Sequence, residues 1–387
     1  MTLYFSYENL TWPEVFNLPR DTPLIIPFGT GYDLERLASA LGNPSSAGIL
    51  PAIPYGWAGS GLQLPKGILD AYVQNLVRSL FDDGFARIYV LCPQQANPEI
   101  STPWIALPHL SLVSAPSWLP PDNDRGKVVI IPVGHTEQHG FHSPMSTDTL
   151  IIEAIGQGVA RTVPDQAACL PVMPYGVSTH RSSFAGTLNA GGRAFEDFYV
   201  SVIDTLVARG FDRFYLMSGH GGNSSFLVNV IKYSGERHRR IFCATAWLYL
   251  SSPEGVHALE EMRSSPSGGM GHACELETSL ILHIRPDLIK MERAIDEMDF
   301  VATPEYYMDW VEGGTLIANP PWDDDTRTGA YGAGSLATAE KGKYWLEAAI
   351  AEKIAHIYEI HEQHSRREAR RIAGYGLWSG ISSVLPG

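Results

Sequence analysis

The sequence predicts an α/β fold on a mostly parallel sheet, and three observations carry that reading. Apolar β-branched runs end in glycine turns, amphipathic helical stretches separate them, and the same strand, turn, helix and strand order occurs twice. IPFGT at 26–30 answers IPVGH at 131–135, IPYG at 53–56 answers MPYG at 173–176, and DDGFARIYVL at 82–91 answers ARGFDRFYLM at 208–217. The second copy is longer, mainly just after its first block. Its helix is expected over 194–209, where Phe195, Phe198, Val202, Leu206 and Val207 fall near helical spacing. Prolines and charges at 114–127 read as a linker, dividing the chain into 1–118 and 119–387. Beyond residue 227 we expect a strand near 241–248, a Gly/Ser loop, a helix from about 272 and a terminal helix over 337–369.

The 387 residues carry a formal charge of −14 and an apolar fraction of 44%. That balance offers no basic stripe for nucleic acid or an anionic membrane, leaving a small molecule or short peptide as the partner. Neither a secretory leader nor a spanning apolar run is read. Cys92, Cys169, Cys243 and Cys274 are far apart and form no CxxC pair, so a reducing cytoplasm is expected.

Three segments carry candidate chemistry. The apolar strand near 128–133 runs into a loop bearing Glu137, His139, His142 and Asp148, where an open α/β sheet places its ligands. Carboxylates and imidazoles this crowded suit Zn²⁺ or Mn²⁺, although a polar loop with histidine caps would look similar. RFYLMSGHGGN at 213–223 presents His220, while Gly221 and Gly222 let the backbone approach a bound group. In GGMGHACELETS, at 268–279, a continuous helix would put His272 and Glu275 on one face and leave Glu277 to the helix dipole. Cys274 would face away from His272, against a thiol nucleophile.

Five ordered motifs, EQHGxHxPxxTD at 137–148, PYGVSTHRSSFAGT at 174–187, GFDRFYLMSGHGGN at 210–223, HACELETS at 272–279 and LATAEKG at 336–342, resemble the creatininase (creatinine amidohydrolase) family. The resemblance implies a three-layer α/β/α sandwich with two divalent ions, Zn²⁺ or Mn²⁺ with Fe²⁺ as a further option. It implies Glu137, His139, Asp148, His220 and Glu275 as metal ligands, Asp148 as the bridge, and His272 with Glu275 as the catalytic pair. His180, Thr187, His142, Gly221 and Gly222 fall to the substrate side. A homo-oligomer is implied as well.

Two departures stand out from creatinine-cleaving members: Gly222 where they carry a glutamate, and Gly268 where they carry a tryptophan. His135 stands where a serine is usual. In the N-terminal copy Tyr32, Leu34 and Gln94 replace the positions of Glu137, His139 and His220, so that copy is expected to lack the metals. The expected activity is hydrolysis of a C–N amide-type bond, in a cyclic amide or ureide, by metal-activated hydroxide. The alternatives are a peptidase or deformylase on the same scaffold, and a non-catalytic binding protein.

Overall fold

In the computed structural model, which describes residues 2–109, 118–179 and 183–374, the apolar runs become the inner strands of two parallel sheets. The first half contains β1 (Leu3–Ser6), α1 (Trp12–Phe16), β2 (Leu24–Pro27), α2 (Leu34–Ala40), β3 (Ser46–Ile49), α3 (Lys66–Asp82), β4 (Ile88–Cys92) and β5 (Trp104–Ala106). Its strands align in the order β1-β3-β2-β4-β5. The second half contains β6 (Val128–Val133), α4 (Thr147–Thr162), β7 (Ala167–Cys169), α5 (Gly192–Ala208), β8 (Arg213–Ser218), α6 (Ser224–Arg237) and β9 (Phe242–Thr245), with strand order β7-β6-β8-β9. There follow α7 (Pro253–Met262), the short strand β10 (Met270–His272), α8 (Glu275–Ile284), β11 (Tyr331–Gly332), which pairs antiparallel with β10, and α9 (Ala339–Ile372).

Every residue of β6 is buried, as expected for a strand covered on both faces. Its parallel register with β8 pairs Val133 with Ser218, so the loops leaving the two strands emerge side by side. Beyond the strands, the isolated bridge Phe28 to Ile53 in the first half has its counterpart in Val133 to Met173 in the second.

The two halves share one apolar core, with α3 packed on α5. The Tyr72 and Phe198 rings meet at 4.7 Å, Tyr72 Oη donates to the Tyr175 carbonyl at 2.5 Å, and Tyr175 Oη donates to the Pro51 carbonyl at 2.5 Å. Each large apolar side chain buried here contributes about 1.5–3 kcal/mol relative to exposure. A second core lies between the second sheet and α4, α8 and α9.

One element differs from expectation. The helix anticipated from about 272 starts at Glu275, because His272 closes β10 and Ala273 takes a left-handed conformation, φ 50°. The chain turns sharply between the histidine and the helix, so helical spacing does not relate His272 to Glu275.

Candidate metal centre

The centre is assembled at the carboxyl ends of β6 and β8. The loop leaving β6 supplies Glu137 and His139, and the first turn of α4 supplies Asp148, where the helix dipole favours a carboxylate. His220 follows β8. Its neighbour Gly219 passes so close to α4 that an added Cβ would stand 2.2 Å from the Asp148 carbonyl oxygen, so no side chain fits there. Glu277 comes from the first turn of α8.

Five side chains converge, all nearly or fully buried. His220 Nδ1 lies 2.9 Å from Glu137 Oε2 and 3.3 Å from Asp148 Oδ2. His139 Nε2 lies 3.1 Å from Asp148 Oδ1 and 3.8 Å from Glu277 Oε1. Asp148 thus presents one oxygen to each histidine, the arrangement a bridging carboxylate needs.

Backbone groups fix both imidazoles. A carbonyl only accepts, so His220 donates through Nε2 to the Val177 carbonyl at 3.0 Å, and His139 donates through Nδ1 to the Glu137 carbonyl at 3.1 Å. In the neutral rings, His220 Nδ1 and His139 Nε2 therefore face the carboxylates with bare lone pairs. Among the described residues, Glu137 Oε2, Asp148 Oδ2 and His139 Nε2 are buried without a properly directed hydrogen bond, despite these short separations. Lone pairs aimed at shared points, with the far nitrogen of each imidazole tied to a carbonyl, make a donor set for divalent cations. The fit is to nitrogen and carboxylate oxygen, the set that Zn²⁺ and Mn²⁺ accept.

The electrostatics agree. Burial opposes charge on His220, but Glu137 and Asp148 outweigh it and hold that imidazole up at about 10. Burial likewise opposes ionisation of Glu137 and Asp148, and the neighbouring histidines bring both carboxyls below their usual range. The pocket demands positive charge.

The loop after Met173 serves as a brace. Gly176 N–H donates to His135 Nδ1 at 2.9 Å, the Val177 carbonyl accepts from His220, and Ser178 Oγ donates to Glu137 Oε1 at 3.1 Å, leaving Oε2 for the centre. Asn223 Oδ1 holds this loop through Val177 N–H at 2.9 Å.

His272 Nε2 lies 2.8 Å from the Gln138 carbonyl and 3.1 Å from the Gln138 side-chain amide nitrogen, and its ring lies against His139 at 4.2 Å between centroids. Burial first, then the neighbouring His139, lower its pKa. Trp322 stands edge-on to it at 4.8 Å and belongs to an aromatic cluster with Phe184 and Tyr331. An aromatic wall is thus present although residue 268 is glycine.

Glu137, His139, Asp148 and His220 meet where the sequence placed them; Glu275 does not. Its carboxylate accepts from Ser264 and Ser265 N–H at 2.9 and 2.8 Å and pairs with Lys341, so it locks α8 to α9 and is turned away from the other four. Glu277, set aside by sequence reasoning, stands with them, its Oε1 3.8 Å from His139 Nε2. Its other oxygen, Oε2, accepts from Ala273 N–H at 2.6 Å, which aims the carboxylate back over the turn. Thr187 Oγ1 accepts from Gln138 N–H at 3.0 Å and so supports the ligand loop. His142 pairs through Nε2 with Thr278 Oγ1 at 2.9 Å and packs behind His139. Gly222 lies against His220, where a Cβ would come 2.4 Å from Nε2, and Gly221 lies under Trp247. His180 lies outside the described residues. Cys274 is buried and its thiol is pushed well up by burial, which removes it as a nucleophile. Ser178 and Gln138 escaped sequence reasoning as site residues; for Ser178 the PYGVS segment was the available signal.

Comparison with known proteins gives a consistent result. The family model "Creatininase: Creatinine amidohydrolase" matches residues 120–357. Creatinine amidohydrolase of Pseudomonas putida is 29% identical over 246 residues, covering 58% of this chain and 85% of that protein. The mycofactocin precursor peptide peptidase of Mycobacterium ulcerans is 30% identical over 222 residues, covering 56% of this chain and 78% of its own. A solved creatininase in its Mn form superposes with a TM-score of 0.50 at 25% identity, covering 62% of this chain and 92% of that one.

Proposed function

Since the chain belongs to the creatininase family, we propose that it is a metal-dependent amidohydrolase that cleaves a C–N amide-type bond in a small cyclic amide or ureide. The observation that carries this is the 2.9 Å approach of His220 Nδ1 to Glu137 Oε2 in a buried pocket, where a cation would take the place of the proton they share. Glu137, Asp148 and His220 would hold one divalent ion, and His139, Asp148 and Glu277 a second, Zn²⁺ or Mn²⁺. Bound by these residues, divalent ions would supply a hydroxide at neutral pH and polarise the scissile carbonyl. The chain's own groups do the rest. His272, tied at Nε2 to the Gln138 carbonyl, keeps Nδ1 to take a proton and return it to the leaving nitrogen. Trp322 confines the substrate beside that histidine and excludes water. The identity to a peptide peptidase supports a second reading, a short peptide as substrate.

The boundary near residue 118 separates a degenerate copy from the catalytic half in this proposal. The repeated order β3-β2-β4-β5 and β7-β6-β8-β9 supports it. At the place of Glu137, Tyr32 is buried and donates to the Phe28 carbonyl at 2.5 Å, a packing role. The α3 and α5 helices meet through equivalent faces, so the first half occupies the position of a second subunit, and larger homo-oligomers would build on that pair. The free cysteines support a reducing, cytoplasmic setting, and none of the described helices is long and apolar enough to cross a membrane.

Elemental analysis of protein purified without chelator, alongside hydrolysis of cyclic ureides, formamides and short peptides, tests the reading. Two metal equivalents and turnover abolished in Glu277→Gln are expected. No metal after reconstitution with Zn²⁺ or Mn²⁺ would overturn it.

A further inference from the structure

His135 sits beside the centre without being accounted for by it. It is fully buried, its ring lies on that of His220 at 4.3 Å between centroids, and its ligand atom falls within 4.8 Å of those of Glu137 and His220. On proximity alone it is a further metal ligand.

Its hydrogen bonding argues otherwise. A backbone N–H can only donate, so the Gly176 N–H at 2.9 Å requires an unprotonated Nδ1, and a neutral ring then carries its proton on Nε2. The contrast with His220 and His139 is direct. Those two donate to carbonyls and turn a lone pair inward, whereas His135 accepts from an amide and keeps a proton on its other nitrogen. That nitrogen is buried and has no hydrogen-bond partner among the described residues. A buried donor beside a reaction site, held in one tautomer by the same loop that fixes His220 and Glu137, is matched to an acceptor that arrives with the substrate.

We propose that His135 is a hydrogen-bond donor to a substrate oxygen, and not a metal ligand, its Nε2–H aimed at an anionic or carbonyl oxygen bound next to Glu137 and His220. This deepens the amidohydrolase reading and rests on it. It assigns the chain a preference for substrates with an oxygen acceptor adjoining the scissile bond, as in a ureide or a carboxylate-bearing amide. It also gives a role to a residue that stands where the family usually has serine.

The test uses the full chain loaded with Zn²⁺, in wild-type, His135→Gln and His135→Leu forms. Two-bond ¹H–¹⁵N spectra of the imidazoles, with the His135 signals identified by their loss in His135→Gln, should show protonated Nε2 and bare Nδ1 with and without Zn²⁺. Metal per chain and Zn²⁺ affinity against a competing chelator should stay within about twofold in both variants. Acetate, used as an oxygen-acceptor probe, should inhibit turnover about tenfold less well in His135→Leu and within about threefold of wild type in His135→Gln, where the amide still donates. Loss of a metal equivalent in His135→Leu, a bare Nε2 in the Zn²⁺ form, or unchanged acetate inhibition in His135→Leu would each overturn the proposal. If the wild type bound no Zn²⁺, the parent reading would fail, and the tautomer spectrum of the unloaded protein would still decide the donor assignment.

Discussion

Glu275 and Glu277 share the first turn of α8, yet their carboxylates serve opposite ends of it: Glu275 is held by Lys341 and the Ser264 and Ser265 amides, Glu277 by the Ala273 amide beside His139. The two substitutions should therefore separate. Glu277→Gln is expected to remove about one metal equivalent and all turnover while leaving the fold intact. Glu275→Gln should keep both metals and lose about 3 kcal/mol of stability, because it strands a buried lysine. Elemental analysis and denaturant titration of the two variants check this, and equal metal loss in both would contradict it.

Proton and metal compete for His220. Without metal its imidazole is raised to about 10, above the unfolded value of about 6.5, so the stabilisation from its charged contacts is fully present below about 6.5 and lost as pH rises through about 10. A cation replaces that proton. Zn²⁺ affinity should accordingly rise with pH up to about 10, and calorimetry at pH 7 in buffers of different ionisation enthalpy should register proton release. A pH-independent affinity would count against His220 as a ligand.

Trp322 reaches His272 from a loop far along the chain. Trp322→Ala should raise KM about tenfold, the equivalent of about 1.4 kcal/mol, with metal content unchanged. Steady-state kinetics on whichever amide is turned over provide the measurement.

Phe198 is buried against Tyr72 in the core common to both halves. Phe198→Ala should cost about 3–5 kcal/mol and shift one unfolding transition. Two separate calorimetric transitions would show halves that unfold independently.

The sequence made the first shell around β6 and β8 legible because strand ends place short loops predictably. His139 and His220 stood out in loops after apolar runs, and the five ordered motifs implied their role. Glu277 was not legible, since the reading assumed a helix through His272. An alanine at φ 50° breaks that helix, and non-glycine residues so rarely adopt this conformation that nothing in HACELETS announces it. The contact of Trp322 with His272 was not legible for another reason: it spans a long irregular stretch, which no periodicity encodes. The division into two halves showed in the repeated blocks, while their common core through Tyr72 and Phe198 depends on tertiary packing.

Gly176, Val177 and Ser178 brace His135, His220 and Glu137 in turn, one residue each. Chain register is thereby tied to chemistry: deleting or inserting one residue in this stretch would move all three groups off their partners at once. A substitution at Val177 alters a side chain that its bracing does not use, whereas a Cβ at Gly176 would stand 2.3 Å from Asn223 Oδ1 and length changes disturb all three supports together. Over evolutionary time this segment should tolerate drift in identity at position 177 far better than any change in length.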